Sequence, residues 1–312
     1  MGAGYSLRLQ VTGGCQLRCG YCRPDLRRAD PAARSPQELA RLVAILAEAG
    51  VRRVRITGGE PLLRPDVVEI VERLGRLGRL EEITLTTNGQ RLGRMASPLR
   101  RAGLSRVNVH VDSLVPERYQ RICGGRLESA LEGLQAALAE GLSPKVNVVV
   151  LRGENEDEVP SFCALAGRLG VQVRFIEMMD TGVAPAYAAR HGLPAREIRA
   201  RLEALGARCV GRRGSAPAVE YRLGEAKLGL VASETEPFCD RCDRLRLGAD
   251  GTLRTCLYAG TCAALGALAR QGADDAALLE VARAAIAAKR SFHPLAACAA
   301  PRPAFSMAAI GG

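Results

Sequence analysis

Six of the eleven cysteines fall into two groups whose spacing suits metal chemistry. The first triad is Cys15-x3-Cys19-x2-Cys22, and the second triad is Cys239-x2-Cys242 followed by Cys256. In a long chain without a secretion signal, grouped cysteines favour metal ligands over disulfides. Thiolates are the natural ligands of iron–sulfur clusters. The first triad therefore predicts a 4Fe–4S site in which three irons have protein ligands and the fourth accepts a ligand from outside the chain.

Zinc is the alternative metal for both triads, and it normally takes four protein ligands in a structural site. No further Cys or His lies close to the first triad in sequence, which favours the cluster there. The second triad has a candidate fourth ligand in Cys262, so a structural zinc ribbon stays open for it. The remaining thiols are expected to be buried or idle, and they are Cys123, Cys163, Cys209, Cys262 and Cys298.

The first half of the chain alternates short β-branched runs with amphipathic stretches, which predicts a parallel sheet with right-handed helical crossovers. The predicted strands are Leu7–Thr12, Val54–Thr57, Ile83–Thr87, Arg106–Val111, Lys145–Leu151 and Val171–Glu177. The predicted helices are Ser35–Ala49, Val67–Leu74, Leu127–Glu140 and Asp157–Leu169. Six strands are fewer than the eight of a closed barrel. We therefore expect an α/β fold with an open, partial TIM-like (β/α)6 barrel.

Polar and glycine-rich segments follow four of the predicted strands. They are TGGC after the first, TGGEP after the second, TTNG after the third and VDS after the fourth. In barrels of parallel strands, the functional groups lie at the carboxyl ends of the strands. These segments are therefore expected to meet at one edge, together with the first triad.

The pattern changes beyond about residue 180, where predicted short helices, turns and short strands around Glu220–Val231 lead into the second triad. We divide the chain into a barrel over residues 1–178 and a C-terminal region over 179–312 that packs on it. The second triad belongs to this C-terminal region.

The net charge is +11, and nearly all of the positive charge is arginine, since Lys145, Lys227 and Lys289 are the only lysines. A GC-rich genome would favour arginine over lysine in this way. A binding site for a polyanion would also favour arginine. Six Tyr, five Phe and no Trp offer few surfaces for stacking bases, so a small phosphorylated substrate fits better than nucleic acid. No membrane span or signal peptide is recognisable, and we expect a cytoplasmic protein.

The first triad, with the aromatic Tyr21 directly before its last cysteine, resembles the radical S-adenosylmethionine superfamily. Gly58-Gly59-Glu60-Pro61 resembles its GGEP motif, which holds the amino group of the cosubstrate's methionine. Nearly the whole chain is similar to the GTP 3′,8-cyclase family of molybdenum cofactor biosynthesis. The matching segments are SLRLQVTGGCQLRCGYCRP, VRITGGEPLLRPD, TLTTNG, VNVHVDSL, KVNVVVLRG, VRFIEMMDTG, FCDRCDRLRLGADGTLRTC and the terminal AAIGG.

The resemblance implies two 4Fe–4S clusters, one on each triad, with S-adenosylmethionine at the first and the purine of GTP at the second. The implied cosubstrate positions are Tyr21, Gly58, Gly59, Glu60, His110 and Met179. The implied GTP positions are Arg8, Arg55, Thr86, Lys145, Arg244 and Arg246. Arg244, Arg246, Gly311 and Gly312 would organise a radical step in which hydrogen leaves the ribose 3′ carbon and that carbon attacks guanine carbon 8. An electron donor, a downstream cyclic pyranopterin monophosphate synthase and a homodimer are the implied partners.

The chain departs from the family at several positions. His110 replaces a usual Ser, Gly13 a usual Asp, and Asp243 a usual Asn close to where guanine should lie. The segment KRSFHPLAAC replaces a Lys-Pro-x-x-His-like stretch, with His293 partly equivalent. These changes keep two alternatives open. One is a paralogous radical enzyme that acts on a different nucleotide in secondary metabolism. The other is a zinc-stabilised basic protein that binds nucleic acid.

Overall fold

One open sheet organises the chain. The computed structural model describes residues 4–22, 33–181, 184–258 and 260–291, with side chains up to 289. The strands in these ranges are β1 (Tyr5–Gln10), β2 (Val51–Thr57), β3 (Glu82–Thr87), β4 (Arg106–His110), β5 (Lys145–Val150), β6 (Gln172–Glu177), β7 (Arg208–Arg212), β8 (Val219–Leu223), β9 (Ala226–Val231), β10 (Arg244–Leu247) and β11 (Leu253–Arg254). Their order across the sheet is β11-β10-β1-β2-β3-β4-β5-β6-β9-β8-β7. Because β1 to β6 are parallel and adjacent in chain order, the predicted (β/α)6 core is confirmed.

The helices in the described ranges join these strands or follow them. They are α1 (Pro36–Glu48), α2 (Val67–Gly75), α3 (Leu92–Arg101), α4 (Pro116–Cys123), α5 (Leu127–Ala139), α6 (Val159–Leu169), α7 (Pro185–His191), α8 (Ala195–Ala204), α9 (Leu265–Arg270) and α10 (Asp275–Ser291). The predicted start of α1 is confirmed: the Ser35 hydroxyl accepts from Glu38 N, the Glu38 carboxylate accepts from Ser35 N, and Pro36 follows. None of the helices in these ranges has the length and apolarity that crossing a bilayer requires.

The C-terminal region extends the sheet at both edges. At one edge β10 pairs with β1 in parallel, and β11 pairs with β10 antiparallel. At the other edge β9 pairs with β6 in parallel, and β8 and β7 follow antiparallel. An edge strand presents unpaired N–H and C=O groups that need partners. Residues beyond 178 therefore complete the barrel sheet itself. The boundary at 178/179 stays a prediction.

The two faces of the sheet have different chemistry because side chains alternate along each strand. Aliphatic residues such as Leu7, Leu9 and Ile56 are fully buried in the core under the helices. The alternate residues, such as Arg8 and Arg55, line a cavity on the inner face. Barrel interiors are usually filled with branched aliphatic side chains. A charged interior here marks the inner face as a binding surface.

Two helices, α3 and α4, had no counterpart in the sequence prediction. α3 is rich in arginine and contains Pro98, which weakens a helical pattern. α4 spans only eight residues, begins with Pro116 and ends at Gly124 in the left-handed conformation, with φ of 73°. Both helices depend on packing against α5, which sequence periodicity does not reveal.

Candidate active site

One cavity of about 330 Å³ runs along the inner face of the sheet, and it is large enough for a small-molecule ligand. All six cysteines of the two triads line it. The first triad follows β1, whereas Cys239 and Cys242 precede β10 and Cys256 follows β11. Because β10 is parallel to β1 and β11 runs back antiparallel, all three cysteines of the second triad lie at the amino end of β1 and β10. The triads face the cavity from opposite ends of β1, whose six residues span about 20 Å.

The spread of the thiols distinguishes a cluster from a single ion. A tetrahedral zinc site with Zn–S bonds of about 2.3 Å brings its sulfurs to within about 3.8 Å of one another. Neither triad has its three sulfur atoms within 4.8 Å of one another, although all six cysteines belong to the described residues. As placed here, neither set of three sulfur atoms is as close together as a single tetrahedral zinc ion requires.

Cys262 does not complete the second triad. Its side chain is exposed, and its sulfur contacts Thr255 N at 3.4 Å and Gly260 O at 3.7 Å. It is absent from the described residues that line the cavity. Lys289 contributes a cation instead: its Nζ lies 3.8 Å from Cys242 Sγ and donates to Thr255 O at 2.6 Å. The alternative of a zinc ribbon therefore lacks Cys262 as its fourth ligand in this arrangement.

The GGEP loop is held against the loop of the first triad by main-chain hydrogen bonds. Gly59 N donates to Thr12 O at 2.8 Å, and Glu60 N donates to Gly14 O at 2.8 Å. A Cβ at Gly58 would lie 2.5 Å from Thr12 O, and a Cβ at Gly59 would lie 2.3 Å from Gly14 O. Both contacts are with backbone atoms. Glycine is therefore required at both positions for this close approach.

Glu60 is buried, and three protein donors hydrogen-bond to its carboxylate. Its carboxylate accepts from Thr87 Oγ1 at 2.6 Å, from Asn88 N at 2.7 Å and from Leu62 N at 3.0 Å. Burial raises the pKa of this carboxyl, and the three hydrogen bonds oppose that rise. Glu60 thus joins the GGEP loop to the TTNG loop. Its contact with a cosubstrate ammonium stays a prediction.

Three arginines lie side by side in the middle of the cavity. The strand register places Arg8 opposite Arg246 on one side and opposite Arg55 on the other. Among the described residues, no carboxylate lies within 4.0 Å of the guanidinium of Arg8 or Arg55. Burial, followed by the neighbouring cations, lowers the pKa of Arg55 and of Arg246 to about 9, and lowers that of Arg8 in the same way. A bound polyanion would offset the mutual repulsion of these three buried guanidinium groups.

Lys145 and Arg174 extend the positive charge to the other side of the cavity. Burial and then the charges of Arg174, Arg106 and Arg55 lower the pKa of Lys145 to about 7. Burial and Arg106 lower the pKa of Arg174 to about 10. Arg174 lines the cavity, whereas Lys145 is absent from its described lining and lies within the same cluster of cations.

Arg244 lies next to the second triad. Its guanidinium stacks on the Phe238 ring at 4.6 Å, and its Nη2 is buried without a partner among the described residues. Such a donor marks a place for an acceptor from a ligand. Arg246 is buried and lines the same cavity. Thr86 also lines it and accepts from Asn108 Nδ2 at 3.5 Å.

His110 and two asparagines form a polar group with unused capacity. His110 Nε2 lies 3.4 Å from Asn147 Nδ2, and His110 Nδ1 is buried without a partner in the described ranges. The amide oxygens of Asn147 and Asn108 are likewise buried and unpaired within the described residues. Burial lowers the pKa of His110, so the ring is neutral at pH 7. With Asn147 donating to Nε2, Nδ1 carries the proton and offers a donor to a ligand.

Tyr21 and Met179 also line the cavity, as Gly58 and Gly59 do. The Tyr21 hydroxyl donates to Asp112 Oδ2 at 2.6 Å. Asp112 Oδ1 accepts from Val149 N at 2.8 Å, which ties the first triad to β5. Burial raises the pKa of Tyr21, and the charge of Asp112 raises it further. The aromatic ring of Tyr21 is therefore fixed at the edge of the cavity.

Two of the family departures, Gly13 and Asp243, are absent from the described lining of the cavity. Asp243 is absent from the described cavity lining, and its carboxylate accepts from Arg53 Nη2 and Ser215 Oγ, each at 2.8 Å. Its carboxylate is therefore engaged by protein donors, and its expected proximity to guanine stays a prediction. A Cβ at Gly13 would meet nothing within 4 Å, so the missing Asp leaves open space.

Several predicted residues lie outside the described ranges, namely Gly311, Gly312, His293 and Cys298. Of the other thiols expected to be buried or idle, Cys163 and Cys123 are buried, and Cys209 and Cys262 are exposed. Cys123 lines the cavity and is close to Cys19, a proximity that its sequence position does not indicate.

Sequence reasoning missed Asn108, Asn147, Asp112, Arg174 and Phe238. A signal for the asparagines was present, because β4 and β5 both contain Val-Asn-Val, a polar residue between two buried aliphatic ones. An inward-facing Asn in a buried strand needs a partner. Phe238 has no such signal, since its role depends on its contact with Arg244.

Two family models match this chain. The radical SAM superfamily model covers residues 9–166, and the molybdenum cofactor synthesis C model covers residues 171–295. Among solved structures, the crystal structure of Streptococcus suis SuiB bound to S-adenosylmethionine superposes with a TM-score of 0.65 over 82% of this chain and 60% of that chain. At 15% identity, this similarity establishes the fold alone.

Curated relatives are similar over almost the whole length. GTP 3′,8-cyclase from Pelotomaculum thermopropionicum is 42% identical over 92% of this chain and 91% of that protein. The enzyme of that name from Moorella thermoacetica is 41% identical over 92% and 91%. The one from Streptomyces coelicolor is 40% identical over 98% and 93%.

Proposed function

Because this chain belongs to the GTP 3′,8-cyclase family of the radical S-adenosylmethionine superfamily, we propose that it converts GTP to 3′,8-cyclo-7,8-dihydro-GTP. This reaction is the first step of molybdenum cofactor biosynthesis. The observation that carries the proposal is the placement of two separate thiol triads at opposite ends of one cationic cavity.

The residues present fit two 4Fe–4S clusters. Cys15, Cys19 and Cys22 would hold the first, and Cys239, Cys242 and Cys256 would hold the second. When bound, the first cluster with S-adenosylmethionine supplies the one-electron chemistry that removes a hydrogen atom from the ribose of GTP. A three-thiolate site without a fourth protein ligand suits this use, because one iron stays available to a small molecule.

The chain itself contributes position and charge. Arg8, Arg55 and Arg246 form a row that matches a triphosphate, and Lys145 and Arg174 extend it. Arg244 presents an unused guanidinium donor next to the second triad. A substrate that contacts both triads would be held in one orientation, so its reacting atoms would be fixed relative to the first triad.

His110 offers its Nδ1 proton on the side of the first triad, where the family usually has a serine. We assign it a hydrogen bond to the cosubstrate. The proposed roles of Tyr21, Gly58, Gly59, Glu60 and Met179 in cosubstrate binding are consistent with their placement around the first triad. The roles proposed for Gly311 and Gly312 in the radical step rest on the family resemblance alone.

The proposed reaction also defines partners. It needs an electron donor, and its product would pass to a cyclic pyranopterin monophosphate synthase. A homodimer and a cytoplasmic location stay predictions.

Anaerobic reconstitution followed by turnover tests this function. Two cubanes predict about eight irons and eight sulfides per chain. The loaded protein is incubated with GTP, S-adenosylmethionine and reductant, and the product is identified by mass spectrometry, with ATP, CTP and UTP in parallel. The control is the Cys15→Ala, Cys19→Ala, Cys22→Ala variant, which should retain about half of the iron and form no product. Stoichiometric zinc without iron, or cyclisation of another nucleotide in place of GTP, would overturn the proposal.

A further inference from the structure

A seventh thiol lies beside the first triad, although it is distant from it in sequence. Cys123 is the last residue of α4 and is 2% exposed. The ligand atoms of Cys19, Asp112 and Cys123 all lie within 4.8 Å of one another. The Cys123 sulfur is 3.4 Å from Asp112 Oδ2.

The main chain fixes this proximity on both sides of Cys19. Arg18 N donates to Cys123 O at 2.8 Å, and Gly20 N donates to Ile122 O at 3.2 Å. The last turn of α4 therefore accepts hydrogen bonds from the residues before and after Cys19. The Cys123 side chain is held near the Cys19 sulfur by backbone geometry.

The Cys123 proton has two acceptors within reach. Asp112 already accepts from the Tyr21 hydroxyl at 2.6 Å on Oδ2 and from Val149 N at 2.8 Å on Oδ1. In the structure the Cys123 S–H donates to Asp112 Oδ2 at 3.4 Å. Once Cys19 is a thiolate bound to iron, its sulfur is a second anionic acceptor within reach of the same S–H, which can turn from the already bonded carboxylate to form a charge-assisted hydrogen bond there.

We propose that Cys123 is a positioning residue that donates its S–H to the Cys19 sulfur and raises the reduction potential of the first cluster. This inference rests on the proposed function, because it requires a cluster at the first triad. Hydrogen bonds to cluster sulfurs make reduction easier because they offset the added negative charge. The same S–H lies between Cys19 and the Asp112 carboxylate, so its loss also leaves that negative charge less screened.

The test is a redox titration, monitored by electron paramagnetic resonance, of protein that carries the first cluster alone. The background is full-length chain with Cys239→Ala, Cys242→Ala and Cys256→Ala. In this background, Cys123→Ala is expected to lower the midpoint potential, so that the ratio of reduced to oxidised cluster at a fixed potential falls roughly three- to tenfold. A tenfold fall corresponds to 59 mV for one electron. Cys123→Ser, which keeps a donor, should recover most of the difference.

Cys163→Ala is the matched control, since Cys163 is a buried thiol on α6 that lies outside the described cavity lining. Its potential should equal that of the background. An unchanged potential in Cys123→Ala, or equal shifts in the Ala and Ser variants, would overturn the inference. Iron and sulfide content of about four each per chain in every variant confirms that a cluster is present. Failure to load any iron would contradict the proposed function instead.

Discussion

At the scale of the residue, the cavity is defined by side chains whose charge or hydrogen bonds are incomplete within the described protein. Arg8 and Arg55 have no carboxylate partner there, and Arg244 and His110 each have a buried polar atom without one. By contrast, Arg53, which lies on β2 with Arg55, pairs with Asp243. Burying unpaired charge costs free energy. A ligand bound in the cavity would compensate for this cost.

If Lys145 contacts the triphosphate as proposed, GTP binding is predicted to depend on pH. Its pKa of about 7 means that the ammonium is charged below pH 7 and loses its proton as the pH rises. We expect affinity for GTP to fall by up to about tenfold between pH 6 and pH 8, because the triphosphate binds the charged form. Equilibrium dialysis of the reconstituted protein without S-adenosylmethionine measures this.

Two variants separate Lys145 from the titration of GTP itself. Lys145→Arg, which stays charged, should flatten the dependence, and Lys145→Met should weaken binding mainly at pH 6. Lys227→Met is the control, because Lys227 is an exposed lysine on β9. A pH dependence that persists unchanged in Lys145→Met would rule Lys145 out as its source.

At the scale of the element, the positions of the strands could be predicted from the sequence, but only part of the strand pairing could. β-branched runs locate β1 to β6 to within three residues, because each alternates or clusters apolar side chains in a short window. The pairing of β10 with β1 joins residues more than 200 positions apart, and no local pattern encodes it. The second triad was therefore found from its spacing, while its position at the opposite end of the barrel required the structure. Cys123 beside Cys19 is a further case of this kind.

The close approach of the GGEP backbone to the cysteine loop is expected to position the first triad. Gly59→Ala places a Cβ against the Gly14 carbonyl, which is backbone and cannot move aside without shifting the cysteine loop. We expect Gly59→Ala to lose the iron of the first triad, about half of the total, and to lower the free energy of unfolding by roughly 1–3 kcal/mol. Iron analysis and urea unfolding under anaerobic conditions measure both effects.

Gly13→Ala in the adjacent loop is the matched control, since nothing lies within 4 Å of its added Cβ. It should retain full iron content. Equal iron loss in both variants would mean that the contact between the added Cβ at position 59 and the Gly14 carbonyl is not the cause of the loss.

At the scale of the whole molecule, the C-terminal region is part of the barrel. It supplies β10 to one edge and β9 to the other, and α10 packs on α1, where Arg41 pairs with Asp275. The cavity follows from this arrangement, because its lining comes from strands on both sides of residue 178. A barrel that ended there would leave two parallel edges unpaired and the inner face open.

Because the sheet is shared in this way, we expect that residues 1–178 and residues 179–312 do not fold and function as separate units. Residues 1–178 expressed alone should aggregate or elute as a broad species, because β1 and β6 would expose unpaired edges and aliphatic side chains. Size-exclusion chromatography and iron content after reconstitution measure this, with the full chain prepared in parallel. Co-expression of residues 179–312 as a second chain should restore part of the soluble, iron-loaded protein, since the edge pairings of β9 and β10 can form between chains. A monodisperse 1–178 fragment that binds about four irons would show that the barrel is complete without its two edge strands.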